Sequence, residues 1–281
     1  MLAQSQDPGM IDRAFGRLAP LRERPLPGQK PALRLKKGYR NHPIKLDRPE
    51  SGEVLVQTSD YGLAGENFYA SSRNPPHYAP VPGAIPLLWV RDGVARRLAR
   101  VDRRLARSGL GLWLFDGWRP TAVQTYFHDR WMPAMLRDKR PDLCESEIAR
   151  EVGSYWAQPT TDPDAPSPHL TGAAVDLSLC WRDTKERLWL GSLFDDVNSI
   201  AHLDYFEGSS ADEIAISHEE ARMNRRLLYW VMVEAGFAAN PSEWWHFSYG
   251  DQMWARLSGA ESAFYGATAP PSALGAREAA E

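Results

Sequence analysis

The clearest pattern of apolar and polar positions lies in residues 92–109. There Val94, Leu98, Val101 and Leu105 recur at helical spacing, with Asp92 placed to cap the first turn and Gly109 to end the run. Residues 110–115 are a short, almost wholly apolar run and read as a buried strand. A second helical stretch is expected after Pro120 and a third over about 142–155. Residues 158–168 carry four prolines and read as a loop. The loop leads into 173–179, where Val175, Leu177 and Leu179 alternate with Ala174, Asp176 and Ser178, a strand pattern. Ser217 and Glu220 have capping-box spacing ahead of a helix with Met223, Leu227 and Val231 on one face, stopped by Gly236. Residues 243–249 read as a turn entering a strand. Helices and short strands interleave without a repeated βαβ unit, so the expected class is α+β.

Composition then divides the chain. Residues 1–51 form a basic, proline-containing N-terminal arm, expected to be extended or poorly ordered, with little periodicity over 12–48. Residues 259–281 are small, polar and alanine-rich, the pattern of a frayed tail. Residues 52–258 hold nearly all the aromatic side chains and are expected to form one compact domain. No internal repeat is visible.

Over the whole 281 residues, 33 basic and 36 acidic side chains leave a net charge of −3, which argues against a general nucleic-acid binder. The longest uncharged stretch, 74–90, is interrupted by five prolines and is no membrane span. The first residues lack an apolar core behind a basic start, so no secretory signal is expected and the location expected is cytoplasmic. Cys144 and Cys180 allow at most one disulfide and no cysteine-rich zinc knuckle; two inert, reduced thiols are expected.

Ionisable groups set inside apolar, structured sequence mark three places. In 167–176, Ser-Pro-His-Leu-Thr-Gly-Ala-Ala-Val-Asp, His169 stands at the mouth of a strand and Asp176 within it, with Gly172 permitting a sharp turn between them. Imidazole and carboxylate are both good zinc ligands, and a carboxylate in an apolar strand needs a cation or several donors. The alternative is a strand-end histidine beside a carboxylate bonded to backbone amides. In 243–247, Glu-Trp-Trp-His-Phe, two tryptophans wall in Glu243 and His246, which suits a general base. A strict strand would point those two residues to opposite faces, so a shared site requires a turn or bulge at Glu243. The alternative is an aromatic core stripe with a solvent-facing glutamate. In 116–120, Asp-Gly-Trp-Arg-Pro, Arg119 follows a strand and can meet a carboxylate or a developing oxyanion. The alternative is a structural Arg119–Asp116 pair. Taken together, His169, Asp176 and His246 make three ligands with a fourth position open, the pattern of catalytic zinc sites.

These motifs resemble the D-alanyl-D-alanine dipeptidases of the zinc-dependent D,D-peptidase family. The resemblance rests on Ser-x-His-x-x-Gly-x-Ala-x-Asp at 167–176, Glu-Trp-Trp-His at 243–246 and Asp-Gly-aromatic-Arg-Pro at 116–120. Softer matches are Tyr61 with Glu66-Asn67-Phe68, Phe194-Asp195 and Asn224-Arg225-Arg226, so the likeness runs collinearly over about 60–248. It implies a small antiparallel sheet carrying one zinc, flanked by helices. It further implies that His169, Asp176 and His246 bind the metal, that Glu243 is base and then acid, and that Arg119 stabilises the tetrahedral intermediate. Asp195, with Ser167 and Tyr61 nearby, would grip the ammonium of a D,D-dipeptide substrate from cell-wall metabolism. Trp118, where the family often has tyrosine, is expected to alter the pocket wall. A D,D-carboxypeptidase of the same fold acting on longer peptidoglycan stems is the nearest alternative. A non-catalytic zinc-binding module and a metal-free carboxylate-binding protein are more distant.

Overall fold

The computed structural model of the chain describes residues 15–208 and 215–271. The first strands are short: β1 (Leu55–Gln57) pairs antiparallel with β3 (Trp89–Arg91), while β2 (Ala64–Gly65) joins the main sheet. That sheet has the order β2-β4-β5-β7-β6, with β4 at Leu110–Asp116, β5 at Ala174–Trp181, β6 at Ala238–Ala239 and β7 at His246–Ser248. Four of its strands are antiparallel neighbours, as expected; the β2–β4 edge pair is parallel, a departure that leaves the α+β class intact.

Strand β5 lies in the middle and is buried on both faces except at Trp181. Val175, Leu177 and Leu179 pack into the main core with Leu112 and Leu114 of β4. Each such burial contributes roughly 1.5–3 kcal/mol. The other face carries Asp176 and Ser178, so the alternation seen in the sequence separates core from chemistry.

Helices cover the sheet. The chain begins with α1 (Ala19–Glu23) and α2 (Lys30–Lys36); α3 (Asp92–Ala106) then packs on β4 through Val94, Leu98, Val101 and Leu105. Asp92 is the first helical residue rather than its cap, and Glu53 accepts the Gly93 amide instead. After Pro120 come α4 (Thr121–Tyr126), a π-helical turn at Phe127–Trp131, α5 (Met132–Lys139) and α6 (Glu145–Tyr155). The long α7 (Ile216–Val233) starts one residue ahead of Ser217, with Ala215 at its cap, so the expected capping box does not form. The last helix is α8 (Gln252–Ser258).

The N-terminal segment is not the extended arm that its composition suggested. Among residues 15–51, Phe15, Leu18, Leu21, Leu26 and Tyr39 are buried. Helix α1 packs on α7, where Arg226 and Trp230 donate to the carbonyls of Glu23 and Arg24 at 3.1 and 3.0 Å, and α2 packs on α8. The expected tail is also held against the protein as far as Thr268, whose amide donates to the Leu170 carbonyl at 3.1 Å. Ala263, Phe264 and Tyr265 are buried, and Ile44 bridges to Ala263. The rest of the arm, 1–14, and of the tail, 272–281, lie outside the described residues. Among the described residues no helix is long and apolar enough to cross a membrane.

The turn into β5 depends on one glycine. Gly172 has φ +68°, and a Cβ there would stand 2.3 Å from Leu55 Cδ2. Gly172→Ala combines left-handed strain with overpacking, so a loss of about 2–4 kcal/mol is expected. The check is the urea midpoint at constant m-value; a shift too small to measure would remove this glycine from the reasons the turn forms.

Candidate active site

Strand register places the first three groups. Asp176 of β5 lies directly opposite His246 of β7, and a register shift between Leu114 and Asp116 brings Asp116 opposite Asp176 on the other side. Side chains directly opposite in an antiparallel pair share a face. Three neighbouring strands therefore present Asp116, Asp176 and His246 in one row.

His169 reaches the same row from the short 3-10 turn His169–Thr171. Its Nδ1 donates to the Gly117 carbonyl at 2.8 Å, which turns Nε2 toward the row. Gly117 has to be small, because a Cβ there would meet the Trp89 carbonyl oxygen at 2.4 Å. His246 is oriented in the converse sense, with Nε2 3.3 Å from Ser248 Oγ and Nδ1 facing the site. Fixing the far nitrogen of a histidine in this way sets which nitrogen is free to coordinate.

The donor atoms suit zinc. His169 Nε2 and His246 Nδ1 are 3.1 Å apart; Asp176 Oδ2 is 3.4 Å from the first, and Oδ1 is 3.1 Å from the second. A tetrahedral zinc with ligand bonds of about 2.0–2.1 Å requires donor–donor edges of about 3.3 Å, which the two nitrogens approach, and with one oxygen taken from Asp176 all three donors lie within 4.8 Å of one another. Asp176 Oδ1 is buried and accepts no aligned hydrogen bond although His246 Nδ1 is close. A buried carboxylate oxygen left in this way calls for a cation. All three residues are buried. Burial by itself would raise the Asp176 carboxyl, but the two facing histidines outweigh it and hold the group well below the usual carboxylate range. Burial and Arg119 act to lower His169, and the Asp176 carboxylate overcomes them to raise it.

Arg119 follows the strand end and is 7% exposed. Its Nε donates to Asp116 Oδ2 at 2.7 Å, Nη1 to Gln124 Oε1 at 3.3 Å, and Nη2 lies 3.0 Å from Asp176 Oδ2 and 3.2 Å from the Tyr69 hydroxyl. The expected alternative, a structural pair with Asp116, is therefore present, and the same guanidinium also borders the site. Asn67 donates to Asp116 Oδ1 at 3.2 Å while its own oxygen caps the turn that carries Tyr69.

Glu243 arrives by a turn, as its spacing from His246 required. The amide of His246 donates to the Glu243 carbonyl at 3.2 Å, and that of Glu243 to the Asn240 carbonyl at 3.3 Å. The turn carries Glu243 Oε2 to 3.7 Å from His246 Nδ1, on the metal side. Trp244 and Trp245 are each 3% exposed and wall the turn. Trp245 packs edge-on against Phe194, which precedes Asp195. Asp195 itself adopts φ +66° and, with Ser167, lines the cavity; burial pushes its carboxyl up to about 8, with Arg119 opposing.

The cavity has a volume of about 600 Å³ and is bordered by Arg119, His169, Asp176, Asp195, Glu243 and His246 together. Tyr61 is not brought to it. Its hydroxyl donates to Asp92 Oδ1, and the tyrosine at the site is Tyr69, buried against Arg119. Tyr69 lies two residues after Asn67, and nothing in the adjacent sequence marks it as the tyrosine that meets Arg119. Trp118 does not form the pocket wall either, since its indole nitrogen donates to the Thr268 carbonyl at 2.7 Å. Arg225 was noted only as part of a soft match, yet it is a principal support. Buried on α7, it donates to the carbonyls of Leu190, Ile200 and His202 at 2.6–2.7 Å and so holds the segment that carries Asp195.

Residues 84–262 match the family described as D-ala-D-ala dipeptidase. A D-alanyl-D-alanine dipeptidase of a Synechocystis strain is 32% identical over 230 residues, covering 75% of this chain and 92% of that protein. One from Enterococcus faecium is 32% identical over 163 residues, covering 57% of this chain and 72% of the relative. Among solved structures, a mutant vancomycin-resistance D,D-pentapeptidase in complex with Zn(II) aligns over 78% of this chain and 90% of its own, at 14% identity and a TM-score of 0.35.

Two substitutions separate ligand from base. His169→Ala is expected to abolish stoichiometric zinc binding, whereas Glu243→Ala should retain about one zinc and lose at least about 10²–10⁴ in turnover. Metal analysis after dialysis, with kcat on the same samples, decides. Full zinc in His169→Ala, or zinc loss in Glu243→Ala, would reverse the assignment.

Proposed function

The chain belongs to the D-alanyl-D-alanine dipeptidase family, and on that premise we propose that it hydrolyses D-Ala-D-Ala, or a close D,D-dipeptide, to free amino acids. The observation that carries this reading is one cavity bordered by a three-donor zinc set, an adjacent carboxylate base and a separate, half-buried carboxylate.

His169, Asp176 and His246 would hold the metal. Zinc bound there supplies a Lewis acid that polarises a peptide carbonyl and activates water near neutral pH. Glu243 takes the proton from the attacking water and returns it to the leaving amine. The turn at 240–246 sets its carboxylate beside the metal ligands rather than among them. Arg119 faces charge that develops on the carbonyl oxygen. Its other bonds, to Asp116 and Asp176, fix the guanidinium in advance, so no reorganisation is needed as that charge appears.

Asp195, which lines the same cavity as Ser167, receives the substrate's ammonium. A desolvated carboxylate gains most from a partner of opposite charge, and a peptide amide in that position leaves it unpaired. This arrangement supports restriction to free dipeptides. Residues 52–258 supply the zinc donors, the base and Arg119, and residues 15–51 and 262–265 pack into the same core. The free thiols of Cys144 and Cys180 support a reducing compartment, the cytoplasm, and the substrate class supports a role in cell-wall precursor metabolism.

The deciding experiment compares D-Ala-D-Ala, L-Ala-L-Ala and N-acetyl-D-Ala-D-Ala. Cleavage of the first is expected, with kcat/KM for the N-acetyl form lower by about 10⁴ or more. Comparable values for free and blocked substrates would indicate a D,D-carboxypeptidase.

The pH profile follows from Asp195. A carboxyl titrating at about 8 is protonated below that pH and must ionise to hold an ammonium, so kcat/KM should rise as pH approaches 8. It should fall again as the substrate's amino group, with a pKa of about 8, loses its proton. A profile already flat from pH 6.5 upward would remove Asp195 as the ammonium partner.

A further inference from the structure

We propose that Lys36 binds the free carboxylate of the dipeptide, so that the N-terminal segment closes the site at the leaving-residue end. The inference rests on the dipeptidase reading and adds a residue outside the matched region 84–262. A zwitterionic dipeptide brings two charges into the cavity. Asp195 answers the ammonium, and the carboxylate needs a cation, since an unpaired charge in a desolvated site is expensive.

Four cationic side chains border the cavity: Lys36, Lys37, Arg40 and Arg119. Arg119 is already shared between Asp116 and Asp176. Lys37 is exposed, and Arg40 donates through Nη2 to the Gln158 carbonyl at 2.8 Å while its buried Nε has no hydrogen-bond partner, so Arg40 is the rival anchor. Lys36 is set apart by its place beside Glu243. Its side chain is 20% exposed, and Nζ makes one hydrogen bond, to Ser242 Oγ at 3.1 Å. Glu243 Oε1 is 3.9 Å away, beyond hydrogen-bond distance. An ammonium carries three donors, so two remain for a ligand. Burial pushes the Lys36 amine down, with Glu243 opposing, the mark of a charge short of solvation.

Its place matches the chemistry of the leaving residue. Glu243 hands a proton to the leaving nitrogen, and the carboxylate of that amino acid hangs from the carbon bonded to that nitrogen. A cation beside Glu243 is therefore within reach of the carboxylate. Lys36 ends α2, and the chain beyond it is held firmly: Gln252 Nε2 lies 2.8 and 2.7 Å from the carbonyls of Arg40 and His42.

The test measures kcat/KM on D-Ala-D-Ala and on D-Ala-D-alaninamide for the intact protein, Lys36→Met, Lys36→Arg and Arg40→Gln. The unaltered protein should prefer the acid by about 10²-fold, the size of one charge-assisted contact. Lys36→Met should bring the ratio to within about threefold, chiefly through KM on the acid, and Lys36→Arg should restore most of it. Equal losses on acid and amide would mean that Lys36 acts only through Glu243, and an unchanged ratio would also overturn the proposal. Collapse in Arg40→Gln but not in Lys36→Met would move the anchor to Arg40. If the unaltered protein cleaves neither compound, the dipeptidase reading fails. Calorimetry with the reduced-amide analogue of D-Ala-D-Ala and its carboxamide then decides for Lys36: weakening of the acid form alone supports it, and equal affinities for the variant and the unaltered protein overturn it.

Discussion

A carboxylate buried in the middle of a sheet is the constraint around which this molecule is arranged. Asp176 is 1% exposed on the central strand, where an uncompensated ion costs several kcal/mol. Its surroundings answer that cost from every side. His246 faces it across β7, His169 approaches from the preceding turn, and Arg119 binds its second oxygen. Arg119 is in turn held by Asp116, itself fixed by Asn67. Two carboxylates share one guanidinium, so once the imidazoles are neutral, as metal ligation requires, the cluster is short of positive charge. A bound divalent cation supplies the deficit while giving Asp176 Oδ1 the partner it otherwise lacks. Metal affinity and electrostatic balance of the core are thus one requirement.

That requirement explains local features that would otherwise look incidental. The register shift before Asp116 brings a second carboxylate to Arg119. Gly117 lets the backbone pass close to Trp89 and offers its carbonyl to His169. Gly172 folds the His169 turn back onto β5. Further out, the polar groups are set by a different device. Arg225 is 1% exposed and satisfies its charge with three backbone carbonyls rather than a carboxylate, and burial lowers its pKa to about 9. Bonds of this kind gather an irregular segment into one conformation, which is what the left-handed backbone at Asp195 needs.

Legibility in the sequence followed the range of the forces. Asp176, His169 and His246 stood out because charged groups inside apolar runs are costly and therefore demand a reason. Val175, Leu177 and Leu179 could be placed because period two is local. The turn at Glu243 was foreseeable from the parity of its spacing to His246. Tyr61 was preferred to Tyr69 because nothing in the neighbouring residues tells which tyrosine faces Arg119, 50 positions away from Tyr69. The segment before residue 52 read as an arm for a related reason. Helix α2 has no buried residue of its own and no apolar stripe, and it is held through α8 and the bonds of Gln252, more than 200 positions away. Such contacts leave no periodic trace.

The division between sheet and periphery bears on how a site of this kind acquires selectivity. Of the candidate zinc donors and their partners, Asp116, Asp176 and His246 sit on adjacent strands, Arg119 follows the end of one and His169 lies on the turn before another, all buried. The groups assigned to the two ends of the substrate are instead carried by segments outside the strands, Asp195 in 190–202 and Lys36 at the end of α2. A change in either segment can alter which peptide ends are accepted without disturbing the buried charge balance around Asp176. The reverse does not hold. Removing Arg119 would leave two buried carboxylates without their shared guanidinium and would undermine the fold along with the chemistry. Catalysis is therefore tied to stability in this molecule, and selectivity is comparatively free of it.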